Sequence, residues 1–249
     1  MIILKSQEEI EKITRACRIV GGTLAFLKDK IKPGLTTIQI DRFADDYIRD
    51  NDAMPAFKGY RGYPANICAS VNNEVIHGIP SDRVLDEGDI LGVDLGVYKD
   101  GFYGDAAYTF PVGEINGEAE RLLKVTEESL YKGIKKARLG NRVSDISYSI
   151  QKHVEANGYT VVRAFVGHGI GRDLHEDPQI PNFGPPNRGP RLKSGMTLAI
   201  EPMVNIGGHE VVILDDGWTA VTMDGKLSAH FEHTILVTAD EPKILTLLN

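Results

Sequence analysis

Four carboxylates and one histidine lie in short apolar contexts of this 249-residue chain and could bind metal ions. Carboxylate oxygens with a single imidazole suit divalent ions such as Mn, Fe, Co or Zn, and they differ from a thiolate zinc site. Because four carboxylates carry four negative charges, a buried cluster is neutral only with two divalent ions. Such pairs are typical of hydrolases in which both ions activate one shared water. The candidates are Asp94, Asp105, His168, Glu201 and Glu232.

The first two carboxylates lie in a predicted β-hairpin, in which Lys99-Asp100-Gly101 interrupts two runs of strand-forming residues. If Lys99 and Asp100 form the loop, Asp94 and Asp105 face each other directly. If the turn is Asp100-Gly101, they are a diagonal pair on the same face. Like charges on one face of an apolar hairpin repel, so both registers predict a cation between them. The alternative is a half-exposed sheet with its carboxylates in solvent.

Two further histidines are candidates for the remaining chemistry. His77 and His175 lie beside Gly or Pro turns, outside the set of candidate ligands. Either could act as a general acid or base, or donate to a carbonyl oxygen that gains charge. The alternative for each is a histidine on a surface loop.

The elements that must position these residues are helical pairs followed by strands. A capping box at Ser6 and apolar residues at helical intervals predict a first helix that Pro33-Gly34 stops, and Thr36 or Thr37 begins a second. Further helices are expected at 118–138 and 144–156, strands at 66–71, 75–77, 159–162, 196–205, 209–214 and 231–238, and a loop rich in Pro and Gly at 177–190.

A weak internal repeat indicates duplication. Gly34 and Gly140 each end a helix at an offset of 106 residues, and the runs around Gly88 and Gly195 match at an offset of 107. In the second match, Asp94 of one half aligns with Glu201 of the other. The sequence therefore predicts a duplicated helix–helix–strand unit within one catalytic domain over 1–249, with halves at 1–112 and 113–249.

Composition narrows the class of protein. The net charge of −7 and the absence of a basic run give no reason to expect nucleic-acid binding. No segment approaches the length of a membrane span or of a signal peptide, so no membrane is expected. Two cysteines, Cys17 and Cys68, form no disulfide framework. We expect a cytoplasmic protein.

Several motifs in fixed order resemble the type I methionine aminopeptidases of bacterial kind, which have the pita-bread (creatinase/aminopeptidase) fold. The chain between His168 and Glu201 is too short for the helical insert of the type II enzymes. The similarity extends over nearly the whole chain. It is carried by Val93-Asp94 with Asp105, Gly167-His168-Gly169-Ile170-Gly171, His175-Glu176-Asp177-Pro178, Ile200-Glu201-Pro202 and Glu232-His233-Thr234.

The resemblance implies an α+β fold with pseudo-twofold halves around a curved antiparallel sheet. It also implies that the five candidates are the ligands of two divalent ions. Asp94 would be bidentate to one ion, Asp105 and Glu232 would bridge, and Glu201 would bind metal and move the proton of the nucleophile. By the same analogy His77 contacts the reacting amide.

The family's methionine pocket corresponds to Tyr60, Tyr63, Cys68 and Trp218, with His77 at its edge, and His175 would bind and stabilise the substrate carbonyl. An apolar pocket that tolerates sulfur suits a thioether. Two positions depart from the family: Phe57 replaces a common cysteine, and Leu174 replaces a common phenylalanine. Because both flank the substrate entrance in the family, they leave the preference at the second residue open.

The resulting hypothesis is a metal-dependent aminopeptidase that removes the initiator methionine from nascent chains when the second residue is small. The expected enzyme is a monomer. The sequence does not fix the metal, leaves contact with the ribosome open, and leaves open a monovalent cation near Asn72 and Ser228. Two alternatives remain, a proline-directed aminopeptidase of the same fold and a non-catalytic module that binds peptides.

Overall fold

The computed structural model describes residues 1–247, and it combines four α-helices with short antiparallel strands. The helices are α1 Gln7–Lys28, α2 Thr37–Asp50, α3 Gly117–Ile134 and α4 Val143–Ala156. The strands are β1 Met54–Pro55, β2 Cys68–Val71, β3 Glu74–Ile76, β4 Ile90–Lys99, β5 Phe102–Pro111, β6 Thr160–Val161, β7 Val166–Gly169, β8 Glu176–Pro181, β9 Thr197–Ile200, β10 Met203–Asn205, β11 Val211–Ile213, β12 Ala220–Thr222, β13 Ser228–His230, β14 His233–Leu236 and β15 Lys243–Ile244. Within 1–247, no helix is both long and apolar enough to cross a bilayer.

The predicted helix starts are confirmed. Ser6 Oγ accepts from Glu9 N at 3.3 Å while Glu9 Oε2 accepts from Ser6 N at 2.8 Å, so the capping box of α1 is complete. Thr36, rather than Thr37, is the N-cap of α2. The predicted end of α1 was too late, because the helix ends at Lys28. The next amides turn back onto the carbonyl of Leu27, well before the proline.

The long hairpin β4–β5 has the diagonal register. Lys99 pairs with Phe102, so the turn is Asp100-Gly101, with positive φ at both residues. Asp105 pairs with Gly96, and Asp94 lies two residues before Gly96 on β4. The two carboxylates are therefore diagonal neighbours on one face, and direct opposition was the wrong alternative.

The predicted duplication appears as a backbone hydrogen bond that occurs at equivalent positions in the two halves. Leu85 N donates to Leu35 O at 2.8 Å, and Leu192 N donates to Asn141 O at 2.9 Å. These residues correspond at offsets of 106 and 107, the offsets of the sequence repeat. In each half the bond joins the segment before the second helix to the segment before a central strand, which is β4 or β9. The fold is a pseudo-twofold α+β arrangement.

The core lies between the helices and the strands of each half. β4 pairs with β1, β2 and β5, and β9 pairs with β7 and β14. The apolar faces of α1 and α2 pack on the first set, and those of α3 and α4 on the second. Glu232 N donates to Ala107 O at 2.8 Å, which joins the two sets where β5 approaches β14.

Some strand and helix boundaries differ from the expected ones for local reasons. β2 begins at Cys68 because the Asp41 carboxylate takes the backbone amides of Asn66 and Ile67, at 2.8 and 3.0 Å. The run 196–205 is two strands, since Pro202 cannot donate to a ladder. The segment 177–190, which was predicted to be a loop, contains most of strand β8. Helix α3 ends at Ile134, before the predicted end at residue 138, because the following residues form tighter turns.

The close approach of α1 to the hairpin makes Gly104 a test of this packing. A Cβ on Gly104 would lie 2.7 Å from Cys17 N and 2.9 Å from Cys17 Cα, which are backbone atoms of a helix. We expect Gly104→Ala to lower the free energy of unfolding by about 1–3 kcal/mol, because the helix must move away. Urea denaturation measures the change.

Gly117→Ala is the matched control, because a Cβ at Gly117 meets no atom within 4 Å. Alanine at this helical position should leave stability unchanged or raise it by up to about 1 kcal/mol. Equal effects of the two substitutions would contradict the packing described for Gly104.

Candidate active site

Five strands or strand ends place the acidic cluster between the two halves. Asp94 lies on β4, Asp105 on β5 and His168 on β7, while Glu201 directly follows β9 and Glu232 directly precedes β14. Strands fix their side chains because each backbone is held by ladder bonds on neighbouring strands. The cluster therefore has a rigid support from both halves.

Within the cluster the donor atoms are close. His168 Nε2 lies 3.6 Å from Glu201 Oε1 and 4.0 Å from Asp105 Oδ2. Donor atoms of Asp105, His168 and Glu232 all lie within 4.8 Å of one another, and these three residues are buried. Such spacing is suited to a cation among them.

The orientation of His168 is set by its own backbone. His168 Nδ1 is 2.9 Å from the carbonyl oxygen of Gly169. A carbonyl only accepts, so Nδ1 carries the proton and the lone pair of Nε2 faces the carboxylates. This is the way in which a backbone carbonyl commonly prepares a histidine for metal binding.

The pKa values of the carboxyl groups reflect their crowding. Burial raises the pKa of Asp94 to about 7. Burial, followed by the charges of Glu232 and Asp94, raises the pKa of Asp105 well above its usual value. The pKa values of Glu201 and Glu232 are raised in the same way, first by burial and then by neighbouring carboxylates.

The cluster fits a divalent cation. Among the described residues, Asp94 Oδ1, Asp105 Oδ1 and Glu232 Oε1 are buried without a hydrogen-bond partner. Buried acceptors without a donor are costly, and a bound cation would satisfy them. Oxygen donors with one imidazole are also the set that hard to borderline divalent metals prefer. The protein therefore has a buried Asp/His/Glu group suited to divalent metal.

A cavity of about 270 Å³ opens above the cluster. All eleven site residues expected from the sequence motifs or from the resemblance line this cavity, although they lie far apart in the chain. The six that lie outside the acidic cluster are Tyr60, Tyr63, Cys68, His77, His175 and Trp218. The acidic cluster forms one wall and aromatic side chains form another.

His175 lies beside the acidic cluster and lines the cavity. Its Nδ1 lies 2.8 Å from the hydroxyl of Tyr60, whose ring stacks on the imidazole at 5.3 Å between centroids. Its ring centroid is 4.3 Å from that of His168. Partial burial, followed by the nearby His168 and Arg61, lowers the pKa of His175, so the ring is neutral at neutral pH.

His77 is held in an unusual backbone conformation at the other side of the cavity. Its φ of +61° lies in the left-handed region, which non-glycine residues rarely adopt. Its ring packs edge-on against Phe165 at 5.7 Å and Trp218 at 6.4 Å. Burial lowers the pKa of His77. Strain of this kind is concentrated at functional sites, where it aims a side chain.

The apolar wall has an internal support. The Tyr63 hydroxyl lies 3.1 Å from Ile67 O and 2.9 Å from Gly78 O, and its ring meets Trp218 edge-on at 5.1 Å. Burial raises the pKa of the Cys68 thiol well above its usual value, so this side chain is neutral. The wall thus offers aromatic carbon and a neutral sulfur.

Five cavity residues had no role in the expectations from sequence, and one further residue outside the cavity lining lies against the cluster. The five are Arg61, Ile76, Ala164, Phe165 and Val166, and they line the cavity together with the two departures, Phe57 and Leu174. His230 is buried, and its unpartnered Nε2 lies 3.9 Å from Glu201 Oε2. Residues two apart in an extended segment face the same side, so the position of His230, two residues before Glu232, could have indicated it. No sequence signal distinguishes Phe165, which the fold brings to His77.

Asp94→Asn tests the electrostatics of the cluster in protein freed of metal by a chelator. Its raised pKa means that the protonated Asp94 carboxyl stabilises the fold fully below about pH 4, and this stabilisation is lost as the pH rises through about 7. Because Asn does not titrate, the variant should gain stability relative to wild type over this range, approaching about 1.4 kcal/mol per pH unit. Urea titrations at several pH values measure the difference.

Asp82→Asn, at an exposed position, controls for the loss of one negative charge. Added Mn²⁺ should reverse the order at pH 7.5, since wild type then gains more stability from the metal than the variant does. A difference between Asp94→Asn and wild type that is the same at every pH would contradict the burial of this carboxyl.

Comparison with known proteins agrees with this geometry. Metallopeptidase family M24 matches residues 11–239. The chain is 57% identical to a methionine aminopeptidase of Clostridium perfringens over the full length of both, and 54% identical to methionine aminopeptidase 1 of Bacillus subtilis over 99% of each. A crystal structure of methionine aminopeptidase from Thermotoga maritima superimposes with a TM-score of 0.98 at 49% identity, covering 99% of this chain and all of that one.

More distant structures share only the fold. A prolidase from Pyrococcus furiosus has a TM-score of 0.81 at 23% identity, and the match covers 98% of this chain but 65% of the prolidase. The family match spans nearly the whole chain, and the methionine aminopeptidases named above are aligned over essentially their entire length. The chain therefore belongs to metallopeptidase family M24, with the pita-bread fold of the methionine aminopeptidases.

Proposed function

We propose that the protein is a metal-dependent methionyl aminopeptidase that removes the N-terminal methionine of nascent chains when the second residue is small. The observation that carries the proposal is a cavity with an oxygen-rich cluster on one wall and aromatic carbon with a neutral sulfur on the other. A peptide that places its first side chain on the apolar wall brings its first amide bond to the carboxylate wall. The full-length identity to methionine aminopeptidases supports the same conclusion.

In this proposal the five clustered residues would hold two divalent ions, of Co, Mn, Fe or Zn. Asp94, Asp105, Glu201 and Glu232 would supply carboxylate oxygens, and His168 would supply Nε2. The negative charges of four carboxylates are then balanced, which offsets the burial and the mutual repulsion that raise the pKa values of Asp105, Glu201 and Glu232. Bound metal supplies Lewis acidity and an activated water near neutral pH.

The remaining chemistry is assigned to three residues. Glu201 lines the cavity beside the place where that water would attack, and it accepts the proton of the water as a general base. His175 donates to the carbonyl oxygen of the substrate, because Tyr60 can donate to Nδ1 and leave the ring proton on Nε2. His77 contacts the nitrogen of the amide bond that breaks.

The methionine side chain would occupy the space among Tyr60, Tyr63, Cys68 and Trp218, with His77 and His175 at its rim. Aromatic rings interact favourably with thioether sulfur at about 5 Å. Phe57 and Leu174 line the same cavity and pack in the apolar cluster beside this space. Both positions flank the substrate entrance in the family, so we infer that they contribute to the preference at the second residue.

The proposal extends to the setting of the enzyme. One catalytic domain spans 1–249, with halves at about 1–112 and 113–249, because the cluster draws ligands from both. The substrates, new N-termini, arise at ribosomes, which places the enzyme in the cytoplasm. We propose that a monomer suffices, since one chain lines the whole cavity.

Peptide hydrolysis tests the proposal directly. Protein stripped with a chelator should not cleave Met-Gly-Met-Met, and added Co²⁺ or Mn²⁺ should restore release of free methionine. Met-Leu-Met-Met should be cleaved far more slowly, because the proposed activity requires a small second residue. Amino-acid analysis of the products measures both. Cleavage of an X-Pro peptide alone would identify a proline-directed enzyme, and no cleavage with any ion would leave a binding module.

His175→Ala should lower kcat by about 10²–10³-fold, since a donor to a developing oxyanion acts mainly in the transition state. KM should change little. His209→Ala, a histidine outside the cavity, is the matched control and should retain wild-type kinetics. A rise in KM with unchanged kcat would assign His175 to substrate binding alone.

A further inference from the structure

A buried ion pair fixes the loop that carries His175. Lys5 Nζ donates to Glu176 Oε2, and the two side chains are only 2% and 5% exposed. Glu176 is the residue directly after His175, whereas Lys5 lies in the segment before α1, 171 residues away in sequence. The pair therefore joins two distant parts of the chain next to the cavity.

The carboxylate of Glu176 also organises its own turn. Its Oε1 accepts from Arg172 N at 2.9 Å and from Asp173 N at 3.4 Å. Both oxygens are thus used, one by the turn and one by Lys5. Because the turn and the ammonium share one carboxylate, movement of Lys5 would move the turn that leads into Leu174 and His175.

Lys5 itself is held at both ends. Its backbone N donates to Gly195 O at 2.8 Å, in the turn before β9. Its side chain runs past Gly171, where an added Cβ would collide with Lys5 Cε and with Glu176 Oε1. Gly171 O in turn accepts from Tyr103 N at 2.8 Å. The lysine is therefore packed against Gly171, the last residue of the motif that begins at Gly167 and contains His168.

Burial of this pair requires a reason, because desolvation of two charges offsets most of their attraction. A pair of apolar side chains would fill the same space at similar or lower cost in free energy. Apolar contacts, however, are not directional, whereas the ammonium and the carboxylate fix each other's position. Directional contacts of this kind define one arrangement of a loop.

We propose that Lys5 is a positioning residue, which holds His175 in its productive place by way of Glu176. The proposal rests on the role of His175 proposed above. His175 touches the substrate in that role, while Lys5 acts on it only through the loop. The hydrogen bond from Tyr60 fixes one edge of the imidazole, and the ion pair fixes the backbone from which the imidazole projects.

Kinetics of Lys5→Met provide the test. Methionine keeps the length of the side chain and removes its charge, so the loop should relax and kcat should fall by about 10–100-fold, as expected for a displaced catalytic group. KM for Met-Gly-Met-Met should stay within about twofold, because the apolar wall of the cavity is untouched. Lys5→Arg, which keeps the charge, should recover part of the loss.

A double-mutant cycle separates positioning from a general loss of structure. In a His175→Ala background, Lys5→Met should cause little further loss of kcat, since the group that it positions is already absent. An equal loss in both backgrounds would overturn the proposal. Arg15→Met is the matched control, because Arg15 makes an exposed ion pair with Asp100, away from the cavity. It should leave kcat unchanged.

A second variant and a second readout keep the test independent of folding and of activity. Lys5→Met/Glu176→Met removes both charges, so it should fold without a buried unpaired ion and still lose kcat; full activity would overturn the proposal.

In metal-free protein, NMR signals of the His175 imidazole should shift in Lys5→Met while those of His77 stay in place. Unchanged His175 signals would also overturn it. If wild type cleaves no methionyl peptide, the proposed function fails, yet these signals still report on the positioning of His175.

Discussion

Four carboxylates that crowd together away from bulk water impose the constraint on which the site depends. Their pKa values rise because each negative charge is desolvated and faces others. Left without a cation, the cluster can keep its shape only by holding protons. A divalent metal replaces those protons, so metal binding and folding are coupled through the same few atoms. The rest of the structure holds these atoms together against their repulsion.

Strands are suited to that task, and duplication supplies them in pairs. β4 and β9 are equivalent central strands, and each leads to one carboxylate, Asp94 or Glu201. Their partners β5 and β14 bring Asp105 and Glu232, which meet where Glu232 N donates to Ala107 O. The acidic side chains come from both packed halves, so they cannot move apart unless the core between the halves is broken. The seam between the halves is therefore where a repelling cluster can be held rigidly.

The two histidines that the proposal assigns to the substrate are placed differently. His77 and His175 project from turns, where strain, aromatic contacts and single hydrogen bonds hold them. Turns offer fewer backbone constraints than a ladder, so side chains there need additional support. The Tyr60 hydroxyl and the Lys5–Glu176 pair give that support around His175. The site thus combines a rigid acidic wall, held by strands, with two histidines that depend on side-chain contacts from other parts of the chain.

The sequence by itself determined the local features. Capping residues set the starts of α1 and α2, two runs of strand formers around Lys99-Asp100-Gly101 indicated the hairpin, and the repeat at offsets of 106 and 107 indicated two equivalent halves. The motifs also contained every residue of the acidic cluster, whereas the predicted pocket came from the resemblance. These features depend on neighbours in the chain, which is why a pattern could indicate them. The resemblance to a family then assigned roles that spacing alone did not.

Tertiary structure decided what depends on residues far apart in sequence. The diagonal register of Asp94 and Asp105 follows from a turn at Asp100-Gly101, between two registers that the sequence left open. Asp41 lies on α2 and shortens β2, because its carboxylate accepts hydrogen bonds from two backbone amides just before that strand. His230 and Phe165 join the site only because strands and loops converge there. Packing of distant segments is governed by contacts between surfaces, and no local pattern specifies which distant surface a residue will meet.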